Sequence, residues 1–474
     1  MEKKIYFSLI KNIKKILFSK YSNYYTYCIS TLYINKGTFD FNEYFKFKDV
    51  FSVLNFLFTA KKFFFSFYQF LLSKPTLHNR IKNSNKKNNI FIISNIINKN
   101  INKDIYFGDL DKQINKKKDF NCIKIFKNFS SFNENVLWRK LKNNQIILSN
   151  KTNFINEIIF IYMCGKEYLR LKFLTTIKKI KIDSNYNYLI SLRSLLSMIP
   201  TLRLCHQIKK LILIYSPKVI IITFEGHAWE RALIKTIKET DKNITAVAYQ
   251  FSAFNKLNYS IFSNFKKIYS PNIIANSGDT TKNIFKKIYK HKIKCVVLGS
   301  CKNRTVKNVK KNNYEILICP ENLPNQLKAM LSLTIQLSNY YKNVKFRLRF
   351  HPAINSKDRF NYLKKINRKP RNLIISTNSL SKDLTKCSHI IYRGTATVIE
   401  ALNYGLTPIY LNTYNSELDE NPLFYNKKLF FTLNKISDLN NILKSNKNLS
   451  KYSDSVKNYF SKFDLNFFNH ILLK

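Results

Sequence analysis

At 474 residues with 45% hydrophobic composition, the chain is longer than one hydrophobic core usually organises, and two domains are expected. The formal charge of +53 comes from 81 Lys and Arg against 28 Asp and Glu, but only thirteen of the 81 are Arg, and no RRM, KH, helix-turn-helix or zinc-finger spacing is present. Lys, Asn, Ile, Phe and Tyr are the residues that A+T-rich codons favour, so the charge reads as drift over every surface; nucleic acid is not expected as a partner, and weak attraction to anionic lipid headgroups is. Eight cysteines stand singly, without Cys-x-x-Cys or a nearby His pair, which argues against a zinc site or disulfide framework and fits a reducing compartment.

The first residues hold a brief apolar run before Lys11 and no small-residue cleavage site, so no signal peptide is read and a cytoplasmic protein is expected. Residues 50–60 and 63–72 are strongly apolar, but Lys61 and Lys62 separate them, and neither reaches the roughly 20 residues of a spanning helix. A buried or interfacial helix is predicted there. Residues 1–85 form an N-terminal extension rich in Phe, Tyr and Lys, expected to rest peripherally on an anionic inner-membrane surface. A polar linker is read over 76–89.

Strands are predicted over 90–97, 122–126 and 145–148, and a helical region over 154–214 in which Pro200 is a break. From Lys218 a continuous β-branched run to Thr223 predicts a central parallel strand, followed at once by a helix starting near Glu225-Gly226. Further strands at 244–249, 273–275 and 295–298 complete an α/β domain over 86–301. After a basic, Asn-rich linker (302–313), strands at 314–320, 344–350 and 373–376 open a second one, 314–440, with a helical tail at 441–474. The stretch from Ser388 to Leu411 reads as strand, turn, helix, strand, with Gly405 ending the helix. The fold class is therefore α/β, two Rossmann-like domains facing each other across a cleft.

In such sheets ligands gather at the carboxyl ends of strands, and so do the polar motifs of this chain. Glu225 follows the strand ending at Thr223 and is flanked by Gly226 and His227; it is a candidate general base or, equally, a carboxylate stabilising a helix N-terminus. Trp229 reads as a packing residue and Glu230 as solvent-facing. His351, before Pro352, ends the strand whose Arg347 and Arg349 face opposite to Phe346, Leu348 and Phe350; it is a candidate phosphate donor or a capping histidine. Arg393, Gly394, Thr395 and Thr397 make a turn suited to an anionic group, with Arg393 able to bind phosphate or pair with a carboxylate. Glu400, five residues on, can reach ribose hydroxyls or stand as an ordinary helix glutamate.

The order of an acidic-Gly pair, a His-Pro pair and a hydroxyl-rich turn resembles that of the GT-B glycosyltransferases, and among them the bacterial sialyltransferases, polysialyltransferases and Kdo transferases. The stretches Thr223-Phe-Glu-Gly-His-Ala-Trp-Glu-Arg231, Arg349-Phe-His-Pro352 and Tyr392–Leu411 look most like a group of bacterial surface-carbohydrate biosynthesis proteins, over about residues 215–425. The resemblance implies an inverting, metal-independent glycosyltransferase without a cofactor, taking a nucleotide-sugar as co-substrate and a lipopolysaccharide or capsule precursor as acceptor. It implies Glu225 as base, His351 as contact to the donor phosphate, Arg393, Gly394, Thr395, Thr397 and Glu400 as donor-binding, and His227 on the acceptor side. The sequence departs from the family in having Phe-Glu-Gly where two acidic residues are frequent and Thr-Ala-Thr in place of a serine motif. A CMP-sugar is the expected donor, with UDP- and GDP-sugars left open. The competing functions are a sugar-nucleotide 2-epimerase and a non-catalytic glycan-assembly or nucleic-acid-binding protein.

Overall fold

The computed structural model describes residues 2–33, 78–80, 88–96, 104–128, 137, 139–290, 292–302, 312–321, 324–352, 354, 356–364, 369–412, 418–445 and 458–472. The apolar segments 50–60 and 63–72 lie outside the described residues, as does most of the linkers read at 76–89 and 302–313. Among the described residues no helix is long and apolar enough to cross a membrane.

Eight strands form the first sheet: β1 (His78–Arg80), β2 (Asn88–Ile96), β3 (Phe120–Asn128), β4 (Gln145–Leu148), β5 (Val219–Thr223), β6 (Thr245–Gln250), β7 (Ile273–Asn276) and β8 (Lys294–Val297). Their order is β1-β4-β3-β2-β5-β6-β7-β8, parallel throughout except for the β1–β4 edge pair. The edge strand β1 falls where the sequence predicts linker. Six strands form the second sheet: β9 (Asn312–Cys319), β10 (Lys345–Leu348), β11 (Leu373–Ile375), β12 (Cys387–Tyr392), β13 (Thr407–Leu411) and β14 (Phe431–Leu433). These run β11-β10-β9-β12-β13-β14, all parallel.

β5 shows why the pattern is readable. All five residues are buried. Ile220 and Ile222 enter the core on one face, Val219 and Ile221 that on the other, so a strand covered on both sides needs apolar residues at every position. The helical region behaves as its proline requires: Leu192–Leu196 ends before Pro200, which occupies the first turn of Ile199–Tyr215, where a missing N–H costs nothing.

The start of the expected N-terminal extension is a layer of the first domain. Helix Glu2–Leu17 buries Tyr6, Leu9, Ile13 and Ile16 in the same core as Ile208, Trp229 and Leu233. Asn12 and Lys15 bond Asp183, holding its carboxyl below the usual range. At the other end, residues 458–472 return to the first domain, where Phe467 and Phe468 are buried beside Ile221 and Tyr249. Backbone bonds from Ser461 to Ser277 (2.8 Å) and Asp464 to Leu298 (2.9 Å) seat this segment. It approaches so closely that a Cβ on Gly299 would lie 2.1 Å from the Lys462 carbonyl oxygen, and Gly299 also has φ +94°.

The domains meet through loops that leave the carboxyl ends of their strands. Residues 251–262, after β6, receive residues 418–424, after β13: Phe424 packs against Phe254 and Phe262, Leu418 enters the first domain's core, and Lys256 pairs with Asp419 at 3.2 Å. The carboxyl ends of both sheets therefore face one another.

A paired substitution checks the packing. Gly299→Ala is expected to lower stability by roughly 1–3 kcal/mol for the backbone conformation alone. Gly165, inside helix Phe154–Thr176 with nothing within 4 Å of a new Cβ, is expected to gain about 0.5–1 kcal/mol as Ala. Denaturant unfolding of both variants against the parent measures the two signs.

Candidate active site

The turn after β5 is built around a carboxylate that the sequence reading misplaces. Glu230 is not solvent-facing: it is fully buried, and its oxygens accept the backbone N–H of Glu225 (2.9 and 3.1 Å), Gly226 (2.7 Å) and His227 (2.9 Å). Three amides that open helix Ala228–Thr240 thus find their partner one turn into it, an arrangement in which the third helical residue reaches back to cap the start. The spacing of His227 and Glu230 was the available signal. Gly226 has φ +87°, and a Cβ there would meet the Ser260 hydroxyl at 2.1 Å; that hydroxyl donates to the Gly226 carbonyl at 2.7 Å. Burial pushes the Glu230 carboxyl up to about 7, against the opposing pull of His227 and the amide bonds.

These three amides bond Glu230, and Glu225 is not their acceptor. Its half-buried carboxylate lies 3.5 Å from Nε2 of His227. Burial lowers the His227 pKa, but Glu225 and Glu230 together outweigh it and hold the imidazolium above its ordinary range. Tyr106, whose hydroxyl is held protonated mainly by burial, feels the Glu225 charge and stands edge-on to Phe251 at 4.6 Å. Sequence reasoning had no signal for Tyr106, because it comes from a short segment between β2 and β3.

His227 also opens onto a cavity of about 530 Å³ in the first domain, lined among others by Lys127, Ser149, Arg203, Gln207 and Trp229. Lys127 Nζ stands 4.6 Å from the Trp229 ring. Burial presses the Lys127 amine down to about 8, and Glu230 opposes that shift. Arg203 is engaged with Glu157 at 2.7 Å.

In the second domain β10 runs on through Arg349, whose N–H bonds the Ile318 carbonyl, to a half-buried His351. Burial lowers the His351 pKa, with Glu321 opposing, so the ring is largely neutral near pH 7 and carries one donor nitrogen and one acceptor. Arg347 and Arg349 are not free to meet a ligand. Arg347 pairs with Glu315, and Arg349 with Asp383 at 2.9 Å.

The turn after β12 departs from expectation at two points. Arg393, expected to bind the donor, is buried and bonded to Glu420 at 3.0 Å and to the Leu418 carbonyl at 3.3 Å. Gln326 donates to the same Glu420 oxygen at 2.6 Å. Since Leu418 packs into the other domain, Arg393 secures the domain contact. Thr395 is buried too, and its hydroxyl is occupied within the turn, accepting the Thr397 N–H at 3.3 Å and lying 3.1 Å from the Thr397 hydroxyl. The helix it precedes, Thr397–Asn403, has only seven residues, so few aligned peptides add to its N-terminal field. Gly394, Thr397 and Glu400 are half-buried, and among the described residues no bond is formed by the Glu400 carboxylate.

Two Rossmann-like domains whose strand ends face across a cleft have the GT-B layout, and here each brings a histidine to such an end. No protein-family model and no curated protein matches the chain. Among solved structures it is similar to Staphylococcus aureus MnaA in a structure with UDP, at 12% identity and TM-score 0.48 over 82% of this chain and 98% of that one. It is also similar to the Methanocaldococcus jannaschii UDP-GlcNAc 2-epimerase in complex with UDP-GlcNAc and UDP (12%, TM-score 0.45, 76% and 94%) and to the glycotransferase of kitacinnamycin (7%, TM-score 0.46, 78% and 93%). The likeness is one of chain layout, with too little shared sequence to carry residue roles across.

Two measurements test the electrostatics. A carboxyl whose folded pKa lies above its unfolded value binds more protons when folded, so stability falls as pH rises through the window between them, here about 4.5 to 7. The drop attributable to Glu230 is at most about 3 kcal/mol, and Glu230→Gln is expected to flatten that part of the stability–pH profile. Arg393→Met leaves Glu420 buried without its guanidinium and is expected to cost about 3–5 kcal/mol of stability; loss of nucleotide affinity at unchanged stability would restore the donor-binding assignment.

Proposed function

We infer that the protein is a GT-B nucleotide-sugar enzyme that transfers the sugar, with inversion and without a metal, to a glycan or lipid-linked precursor of a bacterial surface polysaccharide. The observation that carries the reading is the division of labour between two glutamates. Glu230 accepts the three amides of residues 225–227, and the Glu225 carboxylate stands beside His227, a residue that lines the cavity. In this reading the acceptor lies in that cavity, its hydroxyl gives its proton to Glu225, and its oxygen attacks the anomeric carbon. The bond to the nucleotide phosphate breaks, and His351, as a neutral donor, hydrogen-bonds the departing oxygen. Thr397 and the Gly394 amide add donors, and Glu400 is in place for a ribose hydroxyl. Closure of the domains excludes water, which would otherwise hydrolyse the donor.

A second reading has its own support. Carboxylate and imidazole at 3.5 Å offer two groups for proton transfer, and epimerisation at a sugar carbon requires one proton to leave one face of that carbon and another to be delivered to the opposite face.

Calorimetry with CMP, UDP, GDP and dTDP is expected to show one nucleotide bound selectively, CMP on the sequence resemblance. His351→Ala should weaken it about tenfold or more, or ~1.4 kcal/mol. Glu225→Gln should leave that affinity unchanged and slow turnover roughly 10²–10⁴-fold. Conversion of UDP-GlcNAc to its epimer without any acceptor would select the second reading. A folded protein that binds none of the four nucleotides would overturn both.

A further inference from the structure

Helix Phe154–Thr176 is apolar on two opposite faces, and the described residues cover only one. Phe160, Cys164, Leu171 and Leu174 enter the core of the first domain. On the opposite side Ile155, Tyr162, Leu169 and Phe173 are 66%, 62%, 67% and 61% exposed, with Ile158 and Ile159 exposed between them. Positions 155, 158/159, 162, 169 and 173 recur every three, four or seven residues, so they form one stripe along a helix about 34 Å long. A helix apolar all round normally has cover all round. An exposed apolar stripe of this length marks a surface that meets something else.

The charge on the helix indicates what. Both its acidic residues, Glu157 and Glu167, are buried and bound, to Arg203 at 2.7 Å and to Arg170. The charges it exposes are positive: Lys166 sits within the stripe between Tyr162 and Leu169, Lys172 borders it, and Lys178 and Lys179 follow its end. A second copy of the chain would bring the same positive face against this one. A bilayer with anionic headgroups complements it, because apolar side chains enter the boundary between headgroups and acyl chains while lysine stems reach back to the phosphates.

We propose that helix Phe154–Thr176 is the membrane-docking surface of this protein, lying flat on an anionic bilayer with Ile155, Ile158, Tyr162, Leu169 and Phe173 embedded. This surface is distinct from helix Glu2–Leu17, whose apolar face is consumed by the core, and it holds whichever reaction the cleft carries.

The test uses the full chain and vesicles of phosphatidylcholine with or without phosphatidylglycerol. The parent should co-sediment with the anionic vesicles only, and the bound fraction should fall as salt rises. Ile155→Glu/Leu169→Glu and Lys166→Glu/Lys172→Glu should each weaken binding about tenfold or more at unchanged melting temperature. As a readout independent of those variants, the tryptophan emission of Tyr162→Trp, taken as the difference from the parent, should shift to shorter wavelength when anionic vesicles are added. Vesicle binding unaffected by either double variant, or no such shift in Tyr162→Trp with vesicles bound, would overturn the proposal. So would a fall from dimer to monomer in Ile155→Glu/Leu169→Glu, which would make the stripe a contact between copies, or a large loss of stability in that variant, which would show the stripe covered by the chain itself.

Discussion

The arrangement at the end of β5 depends on one buried carboxylate. The first amides of a helix have no partner inside it, and leaving them dry in a protein interior costs on the order of 1–3 kcal/mol each. From the helix's first turn Glu230 accepts one of them, the N–H of the capping residue His227, together with those of Glu225 and Gly226 in the turn before it. Its position forces the chain into the tight path through Gly226, against Ser260, where no side chain fits. It also fixes the field around its neighbours: a buried carboxyl draws His227 toward its charged form and counters part of the burial penalty on Lys127. Glu225 is then a half-buried carboxylate beside an imidazole whose pKa is drawn upward by the two glutamates.

The same logic applies where the domains touch. Arg393 and Glu420 are both buried, and such a pair is sustained only where further hydrogen bonds complete it. Gln326 and the Leu418 carbonyl supply them, and the Glu420 amide donates to Tyr410 at 3.2 Å. The result is a rigid clip that presents Leu418 and Phe424 to the first domain. Because Phe424 packs on Phe262, and the residues just before it support Gly226, the domain contact and the turn bearing Glu225 share one layer of side chains. On the far side of the first domain, the exposed stripe of helix Phe154–Thr176 shares its helix with Glu157, which holds Arg203 at the cavity wall. The exposed stripe and the cavity lined by His227 are thus served by one helical layer.

Sequence alone determined most of the strands and their alternation with helices, because burial of a parallel sheet on both faces demands apolar runs such as Val219–Thr223; it missed the short edge strands β1 and β14, which carry no such run. It also located Glu225, His227 and His351, since strand ends are set by where those runs stop. It read Glu230 as solvent-facing although the His227–Glu230 spacing was a signal for capping; the folded turn decides which of the two glutamates the amides take. Arg393 looked like a phosphate ligand until its partner, 27 residues away, was brought against it, and Tyr106 had no local mark at all. The outward face of helix Phe154–Thr176 was equally hidden, for a helix apolar all round reads as interior, and which half is left uncovered depends on how many elements reach it. Local periodicity is written in neighbouring residues, whereas charge pairing, pKa and exposure belong to groups that meet only after the chain has packed.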